Sequence, residues 1–243
     1  MTDTDSMSKN IILAIDSSGA QLSLAVFQGS GILASRSLPA RFGQGELLFT
    51  QLQSLMAEVA KHGIVFSQIA AVAVTEGPGS FTGIRTGMAA ARGLALALAI
   101  PTLGVSSFKA YQLAAVARLP LATERIMVVI DSRRELHYVQ EFILNPAGEC
   151  ECEWEWEEAF LASSAEVRQR LESAATPIHV TGDVAELVLD WSPIDIALVA
   201  RHAASLWARG SGKLAEPFYL RPPDLSQPKK PLREIHFATE PAP

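Results

Sequence analysis

Two aspartates, Asp16 and Asp131, stand where an apolar run gives way to a polar turn. A carboxylate at the end of a buried strand, followed by a turn of small residues, can hold a hydrated Mg²⁺ while the turn's N–H groups face a phosphate. Asp16-Ser17-Ser18-Gly19 has that make-up, whereas Asp131-Ser132-Arg133-Arg134 is bulky and glycine-free, which compromises a mirrored phosphate loop. The plainer reading of both carboxylates is a turn residue that caps backbone groups. A second anion-binding candidate is Glu76-Gly77-Pro78-Gly79-Ser80-Phe81-Thr82-Gly83, whose N–H groups would lie at the positive end of a helix. It lacks the Walker A spacing, and Pro78 and Thr82 occupy the glycine positions of a G-x-S-x-G elbow. Structurally, Ser80 or Thr82 serves as a helix cap. The candidate nucleotide or phosphate contacts are therefore Asp16, Ser17, Gly19, Gly77, Gly79 and Ser80. The five histidines (62, 137, 179, 202, 236) never form H-x-x-x-H or H-E-x-x-H, so the sequence draws no helical metal pair. No Ser/His/Asp set stands above background, and His202 reads as a packed or surface histidine.

The elements that must position these residues form a repeated pattern. Residues 11–27 (IILAIDSSGAQLSLAVF) and 126–142 (IMVVIDSRRELHYVQEF) align without a gap, with five identities in seventeen. Each reads as a buried strand, Ile-Asp-Ser, a turn and a second strand ending in Phe, which indicates a duplicated fold. In the first half a third strand is expected over 32–38, a helix over 46–62, a strand over 69–75 and a helix over 82–99 stopped by Pro101. In the second half a helix is expected over 106–118, a hairpin over 126–144, an exposed strand over 149–158 and a helix over 164–174. A short strand over 178–181 follows, then a helix opened by Ser192-Pro193 and closed by Gly210. Alternating strands and helices imply mixed sheets flanked by helices, an α/β class.

Leu48, Leu52, Leu55, Met56 and Val59 form one stripe at helical period. On the next helix, Gly83, Gly87, Ala91, Ala95 and Ala99 recur every fourth residue, beside a second row of Arg85, Ala89, Gly93 and Ala97. Small side chains allow close approach of a facing helix. Packing on the chain's own sheet accounts for one row, so the two together predict an intermolecular contact, and Gly87→Arg is expected to leave a folded protein that no longer pairs.

Composition sets the outer bounds. The chain is 49% hydrophobic and 19% charged, which excludes a largely disordered protein. A net charge of −6 argues against a primary nucleic-acid clamp. Cys150 and Cys152 lie one residue apart, too close for an ordinary disulfide, and read as reduced thiols. The polar start is no signal peptide, and the longest charge-free stretch, Gly93 to Phe108, is broken by Pro101 and Gly104, so a soluble cytoplasmic protein is expected. Lys229, Lys230 and Arg233 give the proline-rich end a short basic cluster.

The segments ILAIDSS, GPGSFTGIRTGMAAARGLALAL, GVSSFKA, VVIDSRR and EPFYLRPP together resemble the bacterial TsaB (YeaZ) family, over residues 10 to about 222. The resemblance implies a duplicated actin-like (ASKHA, RNase H-like) fold of two domains, residues 9–104 and 105–222, with an extended tail over 223–243. It also implies a non-catalytic partner of TsaD, the subunit that forms N6-threonylcarbamoyladenosine next to the anticodon of ANN-decoding tRNAs. TsaE is a further partner, a homodimer forms when TsaD is absent, and tRNA is met through the complex. The family has no cofactor of its own, and ATP or ADP would bind at the assembled complex. The two N-terminal helices are its partner surface, which maps to Leu48, Leu52, Leu55, Thr82, Gly83, Arg85, Gly87, Ala91 and Ala95. One departure is Gly43-Gln44-Gly45-Glu46, where many relatives carry a histidine. The alternative is a free-standing actin-like ATPase or kinase.

Overall fold

The computed structural model describes residues 11–29, 31–40, 43–119, 123–145, 153–188 and 193–221. The cysteines, the basic cluster, Ser192 and the expected tail lie outside the described residues.

Continuous apolar residues give the central strands of each sheet two buried faces. The first sheet runs in the order β3-β2-β1-β4-β5, built from β1 (Ile12–Asp16), β2 (Gln21–Gln28), β3 (Gly31–Pro39), β4 (Ala71–Thr75) and β5 (Thr102–Val105). β1 is antiparallel to β2 and parallel to β4, with Ile12 opposite Phe27 on one side and Ala71 on the other. The second sheet has the order β10-β6-β7-β8, from β6 (Arg125–Ile130), β7 (His137–Asn145), β8 (Glu153–Trp156) and β10 (His179–Gly182), with β9 (Phe160–Ala162) also on β7. β6 is antiparallel to β7 and parallel to β10. The β1–β2–β4 grammar is thus repeated in β6–β7–β10, as the 115-residue offset between Asp16 and Asp131 predicts.

Among the described residues five α-helices complete a layered arrangement: α1 (Gln44–Val59), α2 (Phe81–Leu98), α3 (Ser107–Val116), α4 (Ser164–Glu172) and α5 (Ile196–Ala208). Leu13, Ile15, Leu24, Val26, Val72 and Val74 cover one face of the first sheet and pack on α1 and α2. The opposite face is lined by Ala14, Ala25, Ala71 and Ala73, and these small residues let Ala200, Ala203 and Ala204 of α5 approach closely. That same core takes in Phe108 and Tyr111 of α3 and Ile126, Val128 and Ile130 of β6, so α3 and α5 lie between the two sheets. Met127, Val129 and Val167 pack α4 on the far side of the second sheet.

The start of α5 differs from expectation. Asp195, not Ser192-Pro193, caps it by accepting from Ala197 N at 2.9 Å. The carboxylate three residues later is the better acceptor for first-turn N–H groups. Gly210, at φ 64, follows the helix as expected.

Glu141 of β7 is buried, yet its carboxylate accepts from Arg125 Nη2 at 2.8 Å and from Arg170 Nε, tying β6 and α4 to the sheet. Removing one partner of a buried ion pair strands the other. Glu141→Ala is expected to lower unfolding stability by about 3 kcal/mol in urea titration, while Glu157→Ala, on an exposed partner of Arg170, costs under about 1 kcal/mol.

Candidate functional site

The end of β1 is densely hydrogen-bonded. Asp16, Ser17 and Ser18 are all buried. Asp16 Oδ1 accepts from Thr75 Oγ1 at 2.6 Å, from Ser18 Oγ at 2.7 Å and from Ser18 N at 3.0 Å. Burial pushes the Asp16 carboxyl up, and those bonds only partly oppose it. Ser17 Oγ donates to the Gly83 carbonyl at 2.8 Å, Ser80 N donates to the Ser18 carbonyl at 2.7 Å, and Ser107 Oγ donates to Ser18 Oγ at 3.2 Å. Gln44 Nε2 holds the far side of the turn through the Gly19 and Gln21 carbonyls, each at 3.1 Å.

Glycines make this closure possible. A Cβ at Gly83 would overlap the Ser17 carbonyl, one at Gly79 would overlap the Ser18 carbonyl, and one at Gly87 would stand 2.5 Å from Ser17 Oγ. Ser80 caps α2 by accepting from Gly83 N at 3.2 Å, as expected. Of the six nucleotide or phosphate candidates, Asp16, Ser17, Gly77, Gly79 and Ser80 are brought together and Gly19 lies at the rim of the turn. Asp16, Ser17 and Ser80 hydrogen-bond to Thr75, Ser18 and Gly83, and the Gly77 carbonyl accepts from Ser107 N.

The equivalent strand ends of the second half carry an acidic pair. Asp131 is exposed and accepts from Arg133 N at 2.6 Å, while Asp131 N donates to Asp183 Oδ1 at 2.6 Å. Asp183 follows Gly182, whose missing side chain lets β10 pass the Val129 backbone. Burial first, then the Asp131 charge, push the Asp183 carboxyl up to about 6. Burial on α3 first, then the charges of Asp183 and Asp16, raise the Tyr111 phenol well above the ordinary value. Neither Asp183 nor Tyr111 was among the sequence candidates; the Thr-Gly-Asp ending of β10 is the only local signal for the first. Because the folded-state value of Asp183 lies above the ordinary 3.8, its favourable contribution is complete below about pH 4 and lost as the pH rises through about 6. Asp183→Asn keeps the acceptor for Asp131 N without the charge. It is expected to raise stability by about 2 kcal/mol at pH 8 and leave it unchanged at pH 3.5, read from paired denaturant titrations.

Away from these turns, His137 Nε2 lies 2.8 Å from Ser164 Oγ, which in turn donates to Glu186. The carboxylate is on the serine side, 3.9 Å from Nε2, and Nδ1 is buried without a partner. A nucleophilic triad needs its acid on Nδ1, so this set does not have triad geometry. Among the described residues no three His, Cys, Asp or Glu side chains are grouped to hold a metal ion. Burial pushes His202 down to about 4, which keeps it neutral at physiological pH. No described helix is long and apolar enough to cross a membrane.

The expected partner residues divide sharply. Leu48, Leu52, Leu55, Gly83, Gly87, Ala91 and Ala95 are buried, facing their own sheet and the Ser17 turn. Only Thr82 and Arg85 of that set are exposed. The row open to solvent on α2 is Phe81, Arg85, Ala89, Gly93 and Ala97, with Leu96 85% exposed beside it and Phe49 of α1 56% exposed. Within the chain Gly83 and Gly87 pack against the Ser17 turn, and Ala91 and Ala95 are buried along the same row.

Comparison with known proteins fits this architecture. The family model described as TsaD, tRNA N6-adenosine threonylcarbamoyltransferase, matches residues 48–147. The tRNA threonylcarbamoyladenosine biosynthesis protein TsaB of Escherichia coli K12 is 32% identical over 131 residues, 54% of this chain and 54% of that protein. A Pseudomonas aeruginosa crystal structure, described as similar to peptidase YEAZ, superimposes with a TM-score of 0.67 at 25% identity, covering 87% of this chain and 99% of that one. In sequence and in fold the chain is similar to TsaB (YeaZ) proteins. A tRNA N6-adenosine threonylcarbamoyltransferase of Granulibacter bethesdensis is also 32% identical, over 117 residues, 43% of this chain and 32% of that protein. The chain spans about half or less of the length of these curated relatives. The repeated β1–β2–β4 and β6–β7–β10 units are accordingly the two halves of the duplicated actin-like fold that the TsaB (YeaZ) resemblance implied.

Proposed function

We propose that this chain is a non-catalytic partner subunit of the TsaD-containing system that forms N6-threonylcarbamoyladenosine next to the anticodon of ANN-decoding tRNAs. Its role is to dock on TsaD through the outer face of α1 and α2 and to hold that subunit in a working form. TsaE joins the same assembly, tRNA is met through the complex, and any ATP or ADP sits at the assembled surface. The observation that carries this reading is the outer row of α2. Arg85, Ala89, Gly93 and Ala97 leave a flat strip on which another helix can lie, and the neighbouring Leu96 is 85% exposed. Similarity to the transferase model begins at residue 48 and includes this helix, so a transferase subunit would offer a related helix pair for a pseudo-symmetric contact.

Light scattering on a sizing column, for the chain alone and with TsaD of the same organism, tests it. A homodimer that gives way to a heterodimer is the expected result; a monomer indifferent to TsaD overturns it. Gly93→Arg is expected to abolish pairing while leaving the unfolding midpoint within about 2 °C, because a side chain at position 93 meets nothing within 4 Å in the monomer.

The second reading, a free-standing actin-like ATPase or kinase, draws on Asp16 and the Gly77–Gly83 loop. The saturation of Asp16 by Thr75 and Ser18 counts against it. Calorimetric Mg-ATP binding by the isolated chain would revive it.

A further inference from the structure

Residues 212–221 run back from the end of α5 across the first half as a strap. Gly104 N donates to the Lys213 carbonyl at 3.1 Å, and Ala215 N to Thr102 Oγ1 at 3.4 Å. Arg92 Nη2 of α2 donates to the Ala215 carbonyl at 3.0 Å. Two further bonds converge on one residue at the end of β4. Glu76 Oε1 accepts from Glu216 N at 2.8 Å, and the Glu76 carbonyl accepts from Phe218 N at 2.9 Å. Two glycines clear the path: a Cβ at Gly104 would overlap the Glu76 carboxylate, and one at Gly77 would stand 2.9 Å from the Phe218 carbonyl.

Beyond this anchor the strap meets the head of α2. The Tyr219 ring centroid lies 5.3 Å from that of Phe81, and the Arg85 guanidinium sits 3.8 Å from the Phe81 centroid on the same ring system. Phe81 and Arg85 begin the row that continues through Ala89, Gly93 and Ala97. Leu214 is 70% exposed and Phe218 and Tyr219 37% each, whereas Ala215 is buried, Leu220 packs against the core between the sheets and the Phe218 ring meets Phe108 edge-on at 6.4 Å. Its attachment combines these five hydrogen bonds with a few apolar contacts. Segments held by hydrogen bonds near solvent, with few buried apolar groups, open locally at low cost.

We propose that residues 213–221 form a latch closed on Glu76, and that closure sets the Tyr219–Phe81–Arg85 stack that the second protein grips at the head of α2. This deepens, and rests on, the partner reading above. Closed, the stack offers two aromatic rings and a guanidinium, the residue types that anchor interfaces, at one end of a strip of small residues. Open, Tyr219 leaves Phe81, and the second protein must order Phe81 and Arg85 itself, which weakens its binding.

Glu76→Ala and Glu76→Gln in the full chain separate the parts. Glu76→Gln keeps an oxygen acceptor for Glu216 N; Glu76→Ala does not. Hydrogen exchange over 213–221 is expected to speed up about tenfold or more in Glu76→Ala, to stay near the parent in Glu76→Gln, and to be unchanged in β1 in both. Equal exchange in Glu76→Ala and parent overturns the latch. Calorimetry with TsaD of the same organism is expected to show about tenfold weaker binding for Glu76→Ala and for Tyr219→Ala, whose exposed side chain makes the variant safe for folding. An opened strap with undiminished TsaD affinity overturns the coupling while the partner reading stands. Failure of the parent chain to bind TsaD overturns the partner reading and the docking role together, even where the exchange result holds.

Discussion

Gly83→Ala is expected to unfold about 6–12 °C below the parent chain, a loss near 3 kcal/mol or more. In an ordinary helix interior the same change stabilises by up to about 1 kcal/mol, because alanine loses less backbone entropy on folding. At position 83 the added methyl falls on the Ser17 carbonyl, a backbone atom held in place by β1, the Ser17 Oγ bond to Gly83 and the Ser80–Ser18 bond. Gln44 Oε1 also stands 2.8 Å away and can swing aside, but the Ser17 backbone cannot. Gly93→Ala is the matching control: it meets nothing within 4 Å and is expected to raise the midpoint by about 2 °C. Scanning calorimetry of the pair checks both signs. The same geometry revises the expectation for Gly87→Arg. With Ser17 Oγ 2.5 Å from a Cβ at that position, the variant loses its fold along with its pairing, so loss of pairing in it says nothing about a surface.

Asp16→Ala is expected to cost about 3 kcal/mol in denaturant titration, because it leaves Thr75 Oγ1, Ser18 Oγ and Ser18 N buried without an acceptor. Asp16→Asn keeps one oxygen for those donors and removes a charge that burial disfavours. It is expected to match or exceed the parent above the ordinary carboxylate range, since a carboxyl raised by folding contributes least where it is ionised. The pair also separates a structural aspartate from a metal-holding one. A structural Asp16 gives a folded, TsaD-binding Asn variant, whereas a Mg²⁺-holding Asp16 gives a folded Asn variant that has lost nucleotide binding.

Most of the elements were legible because their periods are unambiguous. Continuous apolar runs at 11–15 and 126–130 read as strands buried on both faces, and the Leu48-to-Val59 stripe has a helix period that the structure repeats. The orientation of α2 was not legible. Glycine and alanine suit a tight internal contact and a tight intermolecular one equally, and only the position of the Ser17 turn tells them apart. The cap of α5 was misplaced because two cap signals, Ser192 and Asp195, stand three residues apart. The strap had no periodic signal at all, since its hydrogen bonds reach partners such as Glu76, 140 residues away from Glu216 in sequence. Asp183 escaped notice because its environment, not its neighbours in sequence, sets its chemistry.

The placement of α5 has a consequence for the chain during synthesis. The first sheet is complete in strands by Val105, but the face carrying Ile12, Ala14, Ala25 and Phe27 is covered by a helix that begins at Ile196. About ninety residues must leave the ribosome before that cover exists, several seconds or more at ordinary elongation rates. Through that interval an apolar sheet face stands open to whatever it meets. Slow translation between the two points would prolong the exposure, and a chain stopped before Ile196 would yield an aggregating fragment rather than a half-sized subunit.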